Sequence, residues 1–348
     1  MTDSILKGSS DLKIAIVGGG HAARFHLMAY ASLKYKINFE ISVLVEPDEI
    51  NAKKWFKLYK KLFHSESPTW YKNISEIPTL EDYIVDICSP NNTHLNFIKQ
   101  CTWKRCKNYI VEKPAFTNSE ELNDYKLMKG IKVFLQENYI YSPVLSTIKN
   151  LMATYGLSIS TVEMNFSKNR TIDSANRRGF NSGVPPHVFM IEIPHTLSIA
   201  YYLLGYGKVI SAESKDMIVH NERLLNHGEG LITLEHESAH SFHYSSLTQT
   251  CRERTIILKG KDKNGDNILI RGNFANSHDD LLGIIEFKIH DQTIEYIEVD
   301  DNSLALSLEN ILYAFKDNKD LDVNSDFIIK TSEILFDSIN KTTNKLSV

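Results

Sequence analysis

The sequence predicts a two-domain α/β protein, with a parallel, helix-covered sheet in its first part and a mostly antiparallel sheet in its second. Three observations carry this. A length of 348 residues suits two domains better than one or three. β-rich and helical runs alternate over residues 12–135. Beyond residue 155 the β-type runs follow one another with few helices between them.

Residues 12–17 (LKIAIV) form a short β-rich run ending in glycines, and residues from about 22 to 33 read as a helix. Residues 39–45 (FEISVLV) are a second β-branched run. Residues 49–62 read as a helix because Trp55, Leu58 and Leu62 are spaced along one face. Residues 83–88 (YIVDIC) form a buried strand, 92–101 a helix and 108–111 a strand. A helix over 119–128 follows Asn118 as its cap, and 131–135 completes the series. Such alternation places helices on both faces of a parallel sheet. After a helix over 142–155, β-type runs occupy 158–166, 209–219, 230–234, 239–246, 254–258, 267–271, 284–290 and 292–299, interrupted only by a helix over 195–204. Closely spaced strands favour antiparallel pairing. Helices over 304–315 and 326–340 close the chain. The division is a polar tail at 1–10, a first domain at 11–138 and a second at 139–348.

Hydrophobic residues make up 42% and charged residues 24%, enough for a full core without a metal or a disulfide framework. A net charge of −4 points to neither nucleic acid nor an anionic membrane as the main partner. No apolar run is long enough to span a bilayer, and residues 1–10 lack an apolar core, so a cytoplasmic location is expected. Cys88, Cys101, Cys106 and Cys251 are too sparse for a disulfide scaffold and lack zinc-binding spacing. Reduced thiols and no metal are expected.

Gly18-Gly19-Gly20-His21-Ala22-Ala23 fits G-x-G-x-x-A between a strand and a helix. Gly18 permits a tight turn, Gly20 lets the backbone approach a pyrophosphate, and Ala23 allows close helix–strand packing. His21 and Ala22 begin a helix whose free N–H groups point at the phosphates. The second strand ends at Glu46, where a carboxylate hydrogen-bonds adenosine ribose hydroxyls and repels a 2′-phosphate. Pro47 and Asp48 follow it rather than Arg. NAD is therefore expected over NADP, with Lys53 and Lys54 as the nearby opposing feature. Together these features predict a Rossmann-type dinucleotide domain.

Ile110-Val111-Glu112-Lys113-Pro114 places a charged pair at the carboxyl edge of the sheet, where open α/β sheets bind ligands. With the glycine turn, Ser89-Pro90-Asn91, His94 and a His195 at the start of a later helix, the chain resembles the glucose–fructose oxidoreductase / inositol dehydrogenase / MocA family over most of its length. His26 also matches a position often held by His there. The resemblance implies a Rossmann domain followed by an α/β domain with a large, mostly antiparallel sheet. It further implies hydride transfer between nicotinamide and a secondary alcohol or ketone of a sugar, cyclitol or derivative. Under it, Lys113 contacts the reacting hydroxyl and the nicotinamide ribose, Ser89, Pro90, Asn91 and His94 lie along the nicotinamide half, and Glu112 sits beside them.

Oxidising an alcohol with NAD releases a proton as well as a hydride, and histidine suits the role of base. Pro194 belongs in the first turn of a helix that ends at Gly205, so His195 lies where the helix dipole favours a neutral ring. Family members carry an acid four positions before this His; here that position is Ile191, and Glu192, three before, is the candidate second catalytic residue. His187, Lys168 and Arg170 are candidate substrate contacts, the basic pair suggesting a carboxylate or phosphate. Asn138 and Tyr139, after the strand 131–135, are candidate hydroxyl contacts. Two other functions fit the same chain: an imine reductase of secondary metabolism, and a non-catalytic cofactor sensor. A homodimer or homotetramer is expected, as family members often pair through the open sheet face.

Overall fold

β1 (Leu12–Val17) is buried along nearly its whole length because it runs through the middle of a parallel sheet. The computed structural model describes residues 12–64, 66–180, 183–276 and 280–344; the tail expected at 1–10 lies outside them. In chain order there follow α1 (His21–Leu33), β2 (Phe39–Val45), α2 (Glu49–Leu62), β3 (Thr69–Tyr71), β4 (Tyr83–Ile87), α3 (His94–Trp103), β5 (Asn108–Glu112), α4 (Ser119–Leu127) and β6 (Lys132–Gln136). The strands lie in the order β3-β2-β1-β4-β5-β6, with every pairing parallel. The order reverses at β1, the switch point at which doubly wound sheets bind ligands.

The chain divides into two compact units. The first holds the described residues up to Phe116, Glu120–Gln136 and Leu304–Ile328. The last segment returns to cover β6: Leu135 N–H donates to the Val323 carbonyl at 2.9 Å, and Phe315 packs on Phe134. An edge strand left bare would offer unpaired backbone groups to another chain.

The second unit holds Thr117–Ser119, Glu137–Ser303 and the residues from Ile329 onward. Its elements are α5 (Pro143–Tyr155), β7 (Ser158–Ser167), α6 (Thr171–Ala175), α7 (Ile193–Leu204), β8 (Lys208–Val219), β9 (Glu222–Glu235), β10 (His240–Ser246), β11 (Glu253–Lys261), β12 (Asn267–Asn273), β13 (Leu282–Ile289) and β14 (Gln292–Asp300). Two further helices, α8 (Ser303–Lys316) and α9 (Ser325–Asn344), close the chain. The sheet runs β14-β13-β12-β11-β7-β10-β9-β8, antiparallel except where β7 meets β10. Ser142 caps α5 and Pro143 opens it, as its first turn requires. The helix lies close on the sheet because β12 and β13 present Gly272 and Gly283 beneath it; a Cβ on Gly283 would stand 2.5 Å from Val144.

The sequence reading differs from the structure at β3, at α6 and in β9. β3 and α6 are too short to show a period. The expected run at 230–234 is only the end of β9, which begins at a hairpin turn from β8 through His220 and Asn221, both in left-handed backbone conformations. Among the described residues no helix is long and apolar enough to cross a membrane.

α2 anchors to the first unit through Trp55, which is fully buried and stacks on Tyr59. Trp55→Ala is expected to lower the unfolding free energy by roughly 3–5 kcal/mol, read from the urea midpoint. A midpoint within error of the parent would show that Trp55 does not anchor the helix.

Candidate functional site

In the first unit, Gly18 has φ +96° and leaves no room for a side chain: a Cβ would stand 2.9 Å from the Cys88 carbonyl oxygen. Its N–H donates to the Val45 carbonyl at 2.8 Å. The first turn of α1 is thereby brought against the ends of β1, β2 and β4. At Gly20, the residue before α1, nothing lies within 4 Å of where a Cβ would project, so the backbone is open to a ligand there. Ala23 is fully buried, as close helix packing needs. His21 stands exposed at the head of the helix, edge-on to Phe25 at 4.4 Å, and Ala22 follows it.

Glu46 ends β2 almost wholly buried. One carboxylate oxygen accepts the Gly19 N–H at 2.6 Å and the other the Asp48 N–H at 2.8 Å. The acid expected to read the ribose is therefore locked to the glycine turn by backbone donors. Among the described residues no arginine shares these contacts.

At the end of β4, the Ser89 hydroxyl accepts from Thr93 at 2.7 Å, and Pro90 and Asn91 continue the turn into α3. His94 is fully buried and its Nε2 meets the Ser89 carbonyl at 2.9 Å. Burial lowers its pKa and keeps the ring neutral. His94 thus braces the Ser89 turn expected to lie along the nicotinamide half. At the end of β5 the Glu112 carboxylate meets His26 Nε2 at 2.8 Å and accepts the Lys113 N–H at 3.2 Å, so it faces inward while Lys113 follows at the sheet edge.

In the second unit, His195 opens α7 nearly buried. Its Nδ1 lies 2.8 and 3.0 Å from the two oxygens of Glu137, which is fully buried. A carboxylate at Nδ1 fixes the proton there and leaves Nε2 as the nitrogen that takes up a proton. The Tyr139 ring stands edge-on to the imidazole at 4.8 Å, and Phe166 and Phe274 pack around Tyr139. Burial raises the Tyr139 phenol pKa, so its hydroxyl keeps its proton while accepting from Arg254 Nε at 3.1 Å.

Glu192 does not fill the role expected of it. Its carboxylate bonds Arg254 at 2.6 Å, with both groups buried, and Lys168 holds its other oxygen. Glu137 stands at Nδ1 instead, supplied by a segment far away in sequence. The remaining expected substrate contacts are also engaged within the unit. Arg170 pairs with Asp173 at 3.3 Å, and Asn138 donates to the Ser303 hydroxyl at 2.9 Å. His187 accepts the Phe189 N–H at 3.2 Å, capping a short 3-10 turn, which makes it a structural residue. Glu137 escaped the sequence reading because its signal was sought beside His195 along the chain. The one available clue was its place directly after a strand, in Gln136-Glu137-Asn138-Tyr139.

A family model described as an oxidoreductase family with an NAD-binding Rossmann fold matches residues 12–133. No curated protein matches the sequence. Among solved structures, a 3-ketoreductase from Actinomadura kijaniata, in complex with NADP and TDP-benzene, superposes with a TM-score of 0.77 at 11% identity, covering 95% of this chain and 98% of that one. An NAD-binding oxidoreductase from Klebsiella pneumoniae gives 0.76 at 15% identity, with 96% and 97% covered. The UDP-N-acetylglucosamine 3-dehydrogenase of Acidithiobacillus ferrooxidans gives 0.68 at 15%, with 95% and 97% covered. Likeness at these identities establishes the shared fold.

The buried histidines of the second unit make its stability pH-dependent. His243, whose nitrogens meet Ser241 at 2.8 Å and Thr196 at 3.0 Å, is held by burial at a pKa of about 3, with His236 adding to the effect. Burial and His227 hold His187 at about 4. Both values lie below the ordinary 6.5, so the unfolded chain binds more protons in this range. Their contribution is full above pH 6.5 and is lost as pH falls toward these values. The urea midpoint is expected to drop more between pH 7.5 and pH 5 for the parent than for His243→Gln; equal drops would refute the assignment to His243.

Proposed function

We propose that this chain, whose residues 12–133 match the model of an oxidoreductase family with an NAD-binding Rossmann fold, is a Gfo/Idh/MocA-type dehydrogenase or ketoreductase acting on a secondary alcohol or ketone of a sugar, cyclitol or sugar derivative. The observation that carries this reading is His195 with its Nδ1 held by the buried Glu137, an arrangement suited to taking a proton from a hydroxyl. Lys113 and His195 are the proposed catalytic groups.

The dinucleotide fits the glycine turn. Gly18 and Gly20 give the tight turn and the open approach, the first N–H groups of α1 would hold the phosphates, and Glu46 would receive the adenosine ribose. The Ser89-Pro90-Asn91 turn and the Lys113 edge serve the nicotinamide half. When bound, nicotinamide supplies the acceptor or donor of the hydride. In the oxidative direction His195 Nε2 would take the proton of the substrate hydroxyl while the hydride went to a bound nicotinamide. Glu137 keeps the ring in the tautomer that can accept this proton and offsets the charge that then forms on it. The resemblance gives Lys113 the role of contacting the reacting hydroxyl. Tyr139, with its proton retained, offers a further donor. Lys168 and Arg170 are engaged by Glu192 and Asp173, which favours recognition of neutral hydroxyls over a phosphate. The ketoreductase and sugar-dehydrogenase neighbours support alcohol–ketone chemistry by analogy of fold. The same reading includes NAD over NADP, a cytoplasmic location and a homodimer or homotetramer.

Titration with NADH and NADPH, followed by nicotinamide fluorescence, tests the cofactor. NADH is expected to bind at least ~10-fold tighter, because Glu46 repels a 2′-phosphate. A preference for NADPH would overturn the role of Glu46, and binding of neither would sink the reading. For the dyad, Glu137→Gln is expected to lower kcat by roughly 10²–10⁴ with NADH affinity retained, as loss of a histidine-orienting carboxylate does elsewhere. An unchanged kcat would remove the pair from the mechanism.

A further inference from the structure

Beneath the dinucleotide turn lies a buried charged cluster that the chemistry above does not use. His26, on α1, is 1% exposed. Its Nδ1 lies 2.8 Å from Asp86 Oδ2 on β4, and its Nε2 lies 2.8 Å from Glu112 Oε1 at the end of β5. An ionised carboxylate only accepts hydrogen bonds, and a neutral imidazole has a single N–H. Two carboxylates on the two nitrogens therefore require an extra proton, on the ring or on one of the acids.

The other contacts decide where it sits. Asp86 Oδ2 also accepts from the Tyr30 hydroxyl at 2.9 Å, and Asp86 Oδ1 from the Cys88 thiol. Glu112 Oε2 accepts the Lys113 N–H. Both carboxylates are surrounded by donors, which suits their ionised forms and leaves the proton on the ring. The groups facing the ring are thus Asp86 and Cys88 from β4 and its end, Glu112 from β5, and Tyr30 from α1 itself; His94, on α3 near Glu112, stays neutral.

We propose that His26 is a buried imidazolium strut, a positioning residue that ties α1, β4 and β5 together and holds Glu112, and with it the Lys113 turn, in place at the cofactor edge. The part concerning Lys113 rests on the dehydrogenase reading; the charge state does not. Burial is the largest single influence and opposes a charged ring, but the charge and hydrogen bonding of Asp86 and Cys88 together outweigh it, and the ring pKa stands well above the ordinary histidine value. His26, Asp86 and Cys88 also bring potential ligand atoms within 4.8 Å of one another. A ring protonated at both nitrogens has no lone pair to give a metal, so the strut excludes that use.

NMR of the protein labelled with ¹⁵N-histidine tests the charge directly. One ring, identified by its absence in His26→Gln, is expected to keep both nitrogens protonated to above pH ~8, well beyond an ordinary histidine. In Glu112→Gln the same ring is expected to titrate at least ~1 unit lower, since one anionic acceptor is gone. Should His26→Gln fail to fold, that displacement in Glu112→Gln identifies the ring. A ring neutral at pH 7, or Zn²⁺ bound at the cluster, would overturn the strut. For positioning, His26→Gln is expected to lower kcat about tenfold while changing NADH affinity less than ~3-fold, the mark of a displaced catalytic group. Unchanged kcat would refute the link to Lys113. Absence of turnover in the parent would count against the dehydrogenase reading alone, since the NMR measurement needs no substrate.

Discussion

The close approach of Gly18 to the carbonyl of Cys88 sets the geometry of the whole dinucleotide edge. With only 2.9 Å where a Cβ would stand, the chain turns sharply off β1 and starts α1 directly over the ends of its neighbours. Two consequences follow from that placement. The Gly19 N–H points at Glu46 and holds its carboxylate at the turn. One turn and a half further along α1, His26 is carried down between Asp86 and Glu112. A side chain at Gly18 would disturb all of these together, because each depends on where the helix begins.

Both units deal with buried and half-buried acids in the same way. Glu46 is satisfied by two backbone N–H groups, Glu112 by an imidazole and a backbone N–H, Glu137 by His195, and Glu192 by Arg254 and Lys168. Burying a carboxylate costs several kcal/mol unless donors replace its water, roughly 3–5 kcal/mol being lost when one partner of a buried pair is removed. Such pairs are weak sources of stability but strong sources of position, since each admits few arrangements. In the second unit this separates two acids close to one histidine: Arg254 and Lys168 claim Glu192, and Glu137 orients the ring.

The glycine turn, Glu46, and the strand ends that carry Ser89 and Lys113 were legible because their meaning is local. A G-x-G-x-x-A spacing between a strand and a helix has a steric cause within a few residues, and strand periodicity shows where a loop must emerge. β3 and α6 were not legible, being only three and five residues long. β9 was read short because its first half is polar and is held by pairing with β8. The burial of His94 was not legible, because nothing local distinguishes a histidine packed under a turn from one exposed on it.

By itself the sequence determined the α/β class, the order of a parallel and then a mostly antiparallel sheet, and the turn that receives a dinucleotide. Each follows from patterns repeated within a few residues. The tertiary structure decided which acid serves which base. Glu137 and His195 are 58 positions apart, and His26 and Glu112 are 86 apart. Carboxylates of equal chemical promise in the chain differ only in which donors the packed sheets bring within 3 Å of them, and no local spacing encodes that choice.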